Sequence, residues 1–207
     1  MNKTIILNAP PAAGKDTIAD ALCEATGANH AEMKVHLYTV ASVLFNIDLV
    51  RFKAMCKDRD RKEKQSHLFL LPIDKYNQLC RITNKNPVRG VSPKSLHAIS
   101  PREALIYTSE LVVKPAFGRD YFGKIANDNI QVCGAVFSDG GFDEEINPIL
   151  GGQADVFIIK FERDGCNWDG DSRGWLSKRN GLPELITTNN GTVEDIVNRI
   201  LDFIGEQ

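Results

Sequence analysis

An apolar run, Thr4-Ile5-Ile6-Leu7, enters the turn Asn8-Ala9-Pro10-Pro11-Ala12-Ala13-Gly14-Lys15-Asp16-Thr17, and a helical pattern leaves it. This strand-turn-helix succession constrains the chain more than any other feature. Ile18, Ala21, Leu22 and Ala25 share one face of the helix pattern, and Gly27 supplies its stop. Gripping a phosphate chain takes backbone N–H groups turned inward, a helix N-terminus behind them and one flexible cation. The turn offers all three. Ala12 and Ala13 supply loop backbone, Gly14 allows close approach, Lys15 reaches the β and γ positions, and Thr17 is placed to meet the α-phosphate. Two positions depart from the usual pattern. Ala9 stands where a first glycine is expected, and Asp16 replaces the Ser or Thr that usually binds magnesium, so Asp16 is expected to hold the metal through water.

Downstream, strands and helices alternate. Val35 to Leu37 reads as a strand, followed by a short helix through Val40, Val43 and Leu44. Ser100 caps a helix that opens at Pro101, carries Ala104, Leu105, Thr108, Leu111 and Val112 on one face, and is ended by Pro115. Tyr121, Phe122 and Ile125 lie in another helix. An apolar strand beginning at Val132 runs to Phe137 and delivers Ser138-Asp139-Gly140-Gly141 at its carboxyl end. A helix through Ile146, Ile149 and Leu150, a strand at 156–161, a polar Gly-rich excursion at 165–181 and a strand at 185–188 follow. Thr192 and Asp195 open the last helix, whose stripe Val193, Ile196, Val197, Ile200, Leu201 and Ile204 is core packing. The pattern predicts one α/β domain over residues 1–207: a central parallel sheet with helices on both faces, a basic acceptor-side helical insertion at about 49–100 and a short lid at about 163–182.

Charge is unevenly spread. Net charge is −2, yet 12 Lys and Arg stand against four acids between positions 51 and 94, a local +8. The rest of the chain carries −10. Either an anion-binding surface or a solvated helix face accounts for such a segment. Phe69 and Tyr76 within it fit core packing or stacking on bases. Five scattered cysteines without a Cys-x-x-Cys pair, and no apolar run of membrane-spanning length, lead to the expectation of a reduced, cytoplasmic protein with no membrane partner.

Asp139 is positioned to orient magnesium waters or accept a proton from an attacking hydroxyl, or else to cap a turn before Gly140. Arg102 on a first helical turn suits an acceptor side, while Arg163, Arg173 and Arg179 bracket the Gly-rich excursion as lid candidates. For each arginine the alternative is an exposed ion pair. Trp168 and Trp175 flank the same segment and suit closure over a base or simple packing. Asn84-Lys85-Asn86 lacks the Asp that would pair with guanine, so ATP is the expected nucleotide.

Gly14-Lys15-Asp16-Thr17, and Leu182-Pro183 through Leu185-Ile186-Thr187-Thr188-Asn189-Asn190-Gly191-Thr192, resemble phage deoxynucleoside monophosphate kinases of the P-loop NTPase class. The resemblance covers nearly the whole chain except the basic segment. It implies ATP with Mg2+ and an adenine near the Asn189–Thr192 loop, making Asn189 an ATP-binding residue. Those enzymes often carry an arginine two residues after the strand-end carboxylate, where Gly141 stands here. Ser100-Pro-Arg-Glu-Ala-Leu, Lys114-Pro-Ala-Phe-Gly-Arg-Asp-Tyr-Phe-Gly123 and the segment from Gly165 to Trp175 are more similar to a sister group, the phage 5-hydroxymethyl-deoxyuridine DNA kinases. That likeness implies phosphorylation of the hydroxymethyl group of 5-hydroxymethyluracil in phage DNA, a step of thymidine hypermodification in the host cytoplasm. Lys15, Asp139, Arg102 and Arg173 would then be catalytic, with Asp16 and Asp139 holding Mg2+ through water. A broad cationic surface suits a polymeric acceptor better than a free monophosphate does. A deoxynucleoside monophosphate kinase and a non-catalytic nucleotide-binding module stay open beside it, although Lys15, Asp16, Thr17 and Asp139 together argue against the last.

Overall fold

A computed structural model describes residues 3–58, 60–130, 133–152, 155–169, 171 and 173–205. In chain order its elements are β1 (Lys3–Asn8), α1 (Lys15–Thr26), β2 (Asn29–Ala31), α2 (Val35–Leu44), α3 (Leu49–Lys57), β3 (Ser66–Pro72), α4 (Ile73–Thr83) and β4 (Leu96–Ile99). They continue with α5 (Pro101–Tyr107), a π-helical turn (Thr108–Val113), α6 (Lys114–Phe117), α7 (Tyr121–Asp128), β5 (Ala135–Phe137), α8 (Asp143–Leu150), β6 (Asp155–Glu162), β7 (Glu184–Thr188) and α9 (Val193–Gly205). Two compact units result, one formed by Met1–Lys34 with Asp120–Gln207 and the other by Val35–Arg119.

The first unit is built on a five-stranded sheet, ordered β2-β5-β1-β6-β7, with every pairing parallel. Side chains alternate across its two faces, as a period of two requires. Ile5, Leu7, Val136, Phe157, Ile159 and Phe161 meet α1 and α9 on one face. Ile6, Ala135, Phe137, Val156 and Ile158 meet α7 and α8 on the other. Both faces are therefore dry, which is why these strands read as near-continuous apolar runs. Because the strands run the same way, the loops after β1, β2, β5, β6 and β7 share one edge. Strand β1 lies at the point where successive connections leave toward opposite ends of the sheet, and the crevice of such sheets opens there.

Two expectations for the early chain need correction. Val35 to Leu37 is not a strand. It opens α2, because Tyr38, Ala41 and Ser42 are buried at the i, i+3, i+4 spacing of a helix. The second strand is instead Asn29–Ala31, a short polar edge strand paired with β5. Val132, where the sequence begins its later strand, lies outside the described residues.

The second unit packs around Phe52, Phe69, Tyr76, Leu79 and Ile99. Its basic segment is not wholly helical, since β3 pairs antiparallel with β4. Ser100 and Glu103 form a reciprocal capping box on α5, with Ser100 Oγ accepting from Glu103 N at 3.2 Å and Glu103 Oε2 accepting from Ser100 N at 2.8 Å. Pro115 does not end this helical run, which continues to Phe117. The turn before it widens, so that Lys114 N donates to Ser109 O, five residues back. Widening adds one residue to the turn, and Val113 is buried where an unbroken α-helix would have buried Val112.

In the first unit, a Cβ added at Gly123 of α7 would fall 1.8 Å from the Glu145 carbonyl oxygen of α8. Helix propensity alone favours alanine there by about 1 kcal/mol. The collision outweighs it, so Gly123→Ala is expected to destabilise the chain by about 1–3 kcal/mol in chemical denaturation.

Candidate functional site

At the carboxyl edge beside β1, the loop 9–14 alternates in backbone hand. Ala12 has φ 63° and Gly14 has φ 94°, both left-handed. Alternating hands turn successive N–H groups toward one concavity, the geometry of an anion nest. Gly14 is required by its φ and by crowding, because a Cβ there would meet Asn189 Nδ2 at 3.0 Å and Arg163 Nη1 at 3.4 Å. The loop's carbonyls are held away by side chains. Lys15 Nζ donates to Ala9 O at 2.5 Å and Pro10 O at 2.6 Å, and Asn189 Nδ2 donates to Ala13 O at 2.7 Å. Asn189 is itself fixed through its N–H to Glu162 O at 2.7 Å.

Lys15 is buried, and that burial, followed by the Arg173 charge, lowers its pKa to about 8 against the pull of Asp16 and Asp171. Its ammonium lies 5.9 Å from the ring centroid of Trp168, which meets Trp175 edge-on at 5.4 Å. Among the described residues, the Trp168 Nε1–H is buried with no acceptor. Arg173 is gripped by Asp171, Nε to Oδ1 at 3.0 Å and Nη2 to Oδ2 at 2.9 Å. Burial works against the charge of Arg173, but the Asp171 hydrogen bonds, with Asp139 and Glu145 beyond, prevail and raise its pKa. A Cβ on Gly141 would fall 2.7 Å from Arg173 Cβ, so the arginine stem lies directly against the turn that follows β5.

Asp139 neither caps α8 nor closes its own turn. Its buried carboxylate accepts from Met33 N at 2.9 Å and Lys34 N at 3.2 Å, with Lys34 Nζ at 3.9 Å. Just before it, Ser138 Oγ lies 2.9 Å from His30 Nε2, and His30 Nδ1 lies 2.7 Å from Asp20 Oδ1. This relay ties α1, β2 and the end of β5 together, but Ser138 is only 1% exposed, so it positions Asp139 rather than presenting a nucleophile. Asn8 is a further anchor that no sequence signal marked. It donates to Gly140 O and Gly174 O and accepts from Leu176 N, pinning the excursion after β6 to the sheet edge.

The sequence-expected residues therefore divide. Ala12, Ala13, Gly14, Lys15, Asn189, Asp139 and Arg173 converge, and Arg163 reaches the same loop. Asp16 and Thr17 are exposed on the first turn of α1. Arg179 is a structural tie instead, bonded to Asn147 Oδ1 and Asp143. Arg102 belongs to the other unit, where Nη1 donates to Glu63 Oε1 at 3.1 Å. Among the described residues no three His, Cys, Asp or Glu side chains cluster as a direct metal cage. The exposed Asp16 and the N–H-bonded Asp139 fit Mg2+ held mainly through water and phosphate oxygens, as that ion prefers. The five cysteines form no disulfide, and among the described residues no single helix is long and apolar enough to cross a membrane.

No family model matches the chain, and a search of curated proteins found no match.

An anion bound against Lys15 would restore its pKa toward the ordinary range. Anion binding at this loop is expected to take up protons above pH 8 and few at pH 7, as measured by calorimetry in buffers of different ionisation enthalpy. In the free protein the depressed pKa means that the unfolded chain binds more protons between pH 8 and 10.5. Stability from this group therefore rises with pH across that window.

Proposed function

We propose that the chain is an ATP-dependent phosphotransferase of P-loop NTPase type. The observation that carries this reading is the left-handed nest at Ala12 and Gly14 with the buried Lys15 ammonium beside it, at the carboxyl edge of a parallel sheet. In this reading the loop amides and Lys15 hold the β- and γ-phosphates. Phosphoryl transfer requires little covalent chemistry from the protein, so positioning and charge neutralisation dominate. Arg173, kept charged and aimed by Asp171, neutralises the migrating group, and the buried indole N–H of Trp168 finds its missing acceptor in a phosphate oxygen. Asp16 and Asp139 would hold Mg2+ through water, and the ion would supply positive charge against the phosphates. Asp139 is the residue available to accept the acceptor hydroxyl's proton once that hydroxyl lies beside it.

The resemblance to phage kinases supports two acceptors, the hydroxymethyl group of 5-hydroxymethyluracil in DNA and the phosphate of a deoxynucleoside monophosphate. We favour the first. The unit Val35–Arg119 carries 15 Lys and Arg against seven Asp and Glu, a net +8, whereas the P-loop-bearing unit carries 10 against 20. A single monophosphate needs two or three cations, and a polynucleotide rewards many. Phe69 and Tyr76, however, are buried in that unit's core and are not available for stacking on bases. The position two residues after Asp139, an arginine in many monophosphate kinases, is the glycine against which Arg173 packs. The arginine charge comes from another segment here.

Incubation with γ-labelled ATP and either hydroxymethyluracil DNA or free deoxynucleoside monophosphates tests the assignment. Label in the DNA is expected, with transfer reduced roughly 100-fold or more by Lys15→Ala in a chain that still folds. Label confined to diphosphates would replace the acceptor. Tight ATP binding with no transfer to either would mean a non-catalytic module.

A further inference from the structure

The two-stranded ribbon of the second unit has one face that the fold leaves uncovered. Leu70 pairs with Ala98 and Pro72 with Leu96, so these four side chains share a face, while the pairing register shifts between Ser66 and Leu70. Phe69 and Leu71 point the other way into the core, where Tyr76 stacks on His97 at 3.8 Å. The face formed by Leu70, Pro72, Leu96 and Ala98 is apolar, yet Leu70 and Leu96 are 38% and 62% exposed. A polar outer face is the rule for a half-buried antiparallel ribbon, so this patch needs a partner.

The charges around it select the partner's chemistry. Lys64 stands just before β3. Lys94 stands just before β4, at the opposite end of the ribbon, beside the first turn of α4 that carries Lys75, since Ile73 N donates to Ser95 O and Asp74 N to Pro93 O. All three lysines are exposed and have no carboxylate partner among the described residues. Of the acids nearby, Asp58 caps its own turn and pairs with Arg61 and Glu63 pairs with Arg102, whereas Asp74, beside Lys75, is exposed and offsets part of the positive charge at that end. A second copy seated on the same patch would set these lysines against themselves, because a two-fold interface is self-complementary. An apolar strip bracketed by free cations suits a polyanion with apolar faces inside it.

Resting on the reading that the acceptor is a base in DNA, we propose that the outer face of the β3–β4 ribbon docks on DNA, with Lys64, Lys75 and Lys94 on phosphates and Leu70 and Leu96 inserted at an opened base step. A base inside a duplex is out of reach of any phosphoryl donor until it is extruded. Proteins that open base steps insert apolar side chains such as leucine, while cations hold the backbone. Leucine fits the gap without competing for the base's hydrogen bonds.

The test uses the full chain and a fluorescein-labelled duplex containing one hydroxymethyluracil next to a 2-aminopurine. Wild-type protein is expected to bind and to raise the 2-aminopurine fluorescence. Leu96→Asp, at an exposed position, is expected to weaken binding roughly tenfold and to abolish the fluorescence rise. ATP affinity and far-UV circular dichroism serve as checks on folding. Lys64→Ala/Lys94→Ala is expected to lower the salt slope by about two. Unchanged binding and fluorescence in Leu96→Asp would overturn the docking face. Loss of self-association in that variant with DNA binding intact would assign the patch to a second copy instead and overturn it likewise. Label transfer separates the two proposals. Equal DNA labelling by wild type and Leu96→Asp removes the docking face and keeps the kinase reading, whereas leucine-dependent opening without any transfer keeps the face and removes the kinase reading.

Discussion

Everything in the first unit is arranged around an ammonium group that has been taken out of water and, among the described residues, has no carboxylate at bonding distance. Lys15 is held by two loop carbonyls, and carbonyls offset only part of the cost of burying a cation. Desolvation and the neighbouring Arg173 weaken its hold on its proton, a strain that the proposed phosphate ligand would relieve. The loop's left-handed residues, the Asn189 clamp on Ala13 and the helix N-terminus of α1 keep its donors turned the same way. A fixed array of donors needs no reorganisation when charge arrives, and fixed arrays of this kind stabilise developing charge most effectively.

The surrounding contacts are chiefly devices for holding that array. Asp139 fastens the backbone after β2 to the end of β5, and the Asp20–His30–Ser138 relay locks the residue beside it to α1. Asn8, at the last position of β1, binds the excursion after β6 with two hydrogen bonds and the turn after β5 with a third, and so brings Arg173 to that turn. The excursion thus sets its arginine and its tryptophan pair by polar ties rather than by regular structure. In the second unit the inside is aromatic and aliphatic, whereas the outside combines free lysines with an uncovered leucine strip.

Much of the first unit was legible in the sequence because its signals are local. Buried parallel strands are apolar runs, α9 has a capping pair and an unbroken stripe, and Gly27 ends α1 through a left-handed conformation. The misread elements are those whose structure is decided by distant partners. Asn-His-Ala becomes a strand only because β5 offers it an edge, and Val35 joins a helix because Tyr38 and Ala41 find a core. Pro115 was a sound stop signal that a widened turn absorbed. The nest, the lysine and Asn189 follow from a motif, but Asn8, Lys34 and His30 do not. Their roles depend on which loops the parallel topology gathers at one edge, and nothing in their sequence neighbourhoods carries that information.

The central claim is that the loop between β1 and α1 grips the triphosphate of ATP. A crystal structure with a non-hydrolysable ATP analogue and Mg2+ tests it most directly. The account predicts that Lys15 Nζ leaves the Ala9 and Pro10 carbonyls for the β- and γ-phosphate oxygens while Asn189 keeps hold of Ala13. A nucleotide bound elsewhere, with Lys15 still on those two carbonyls, would contradict it.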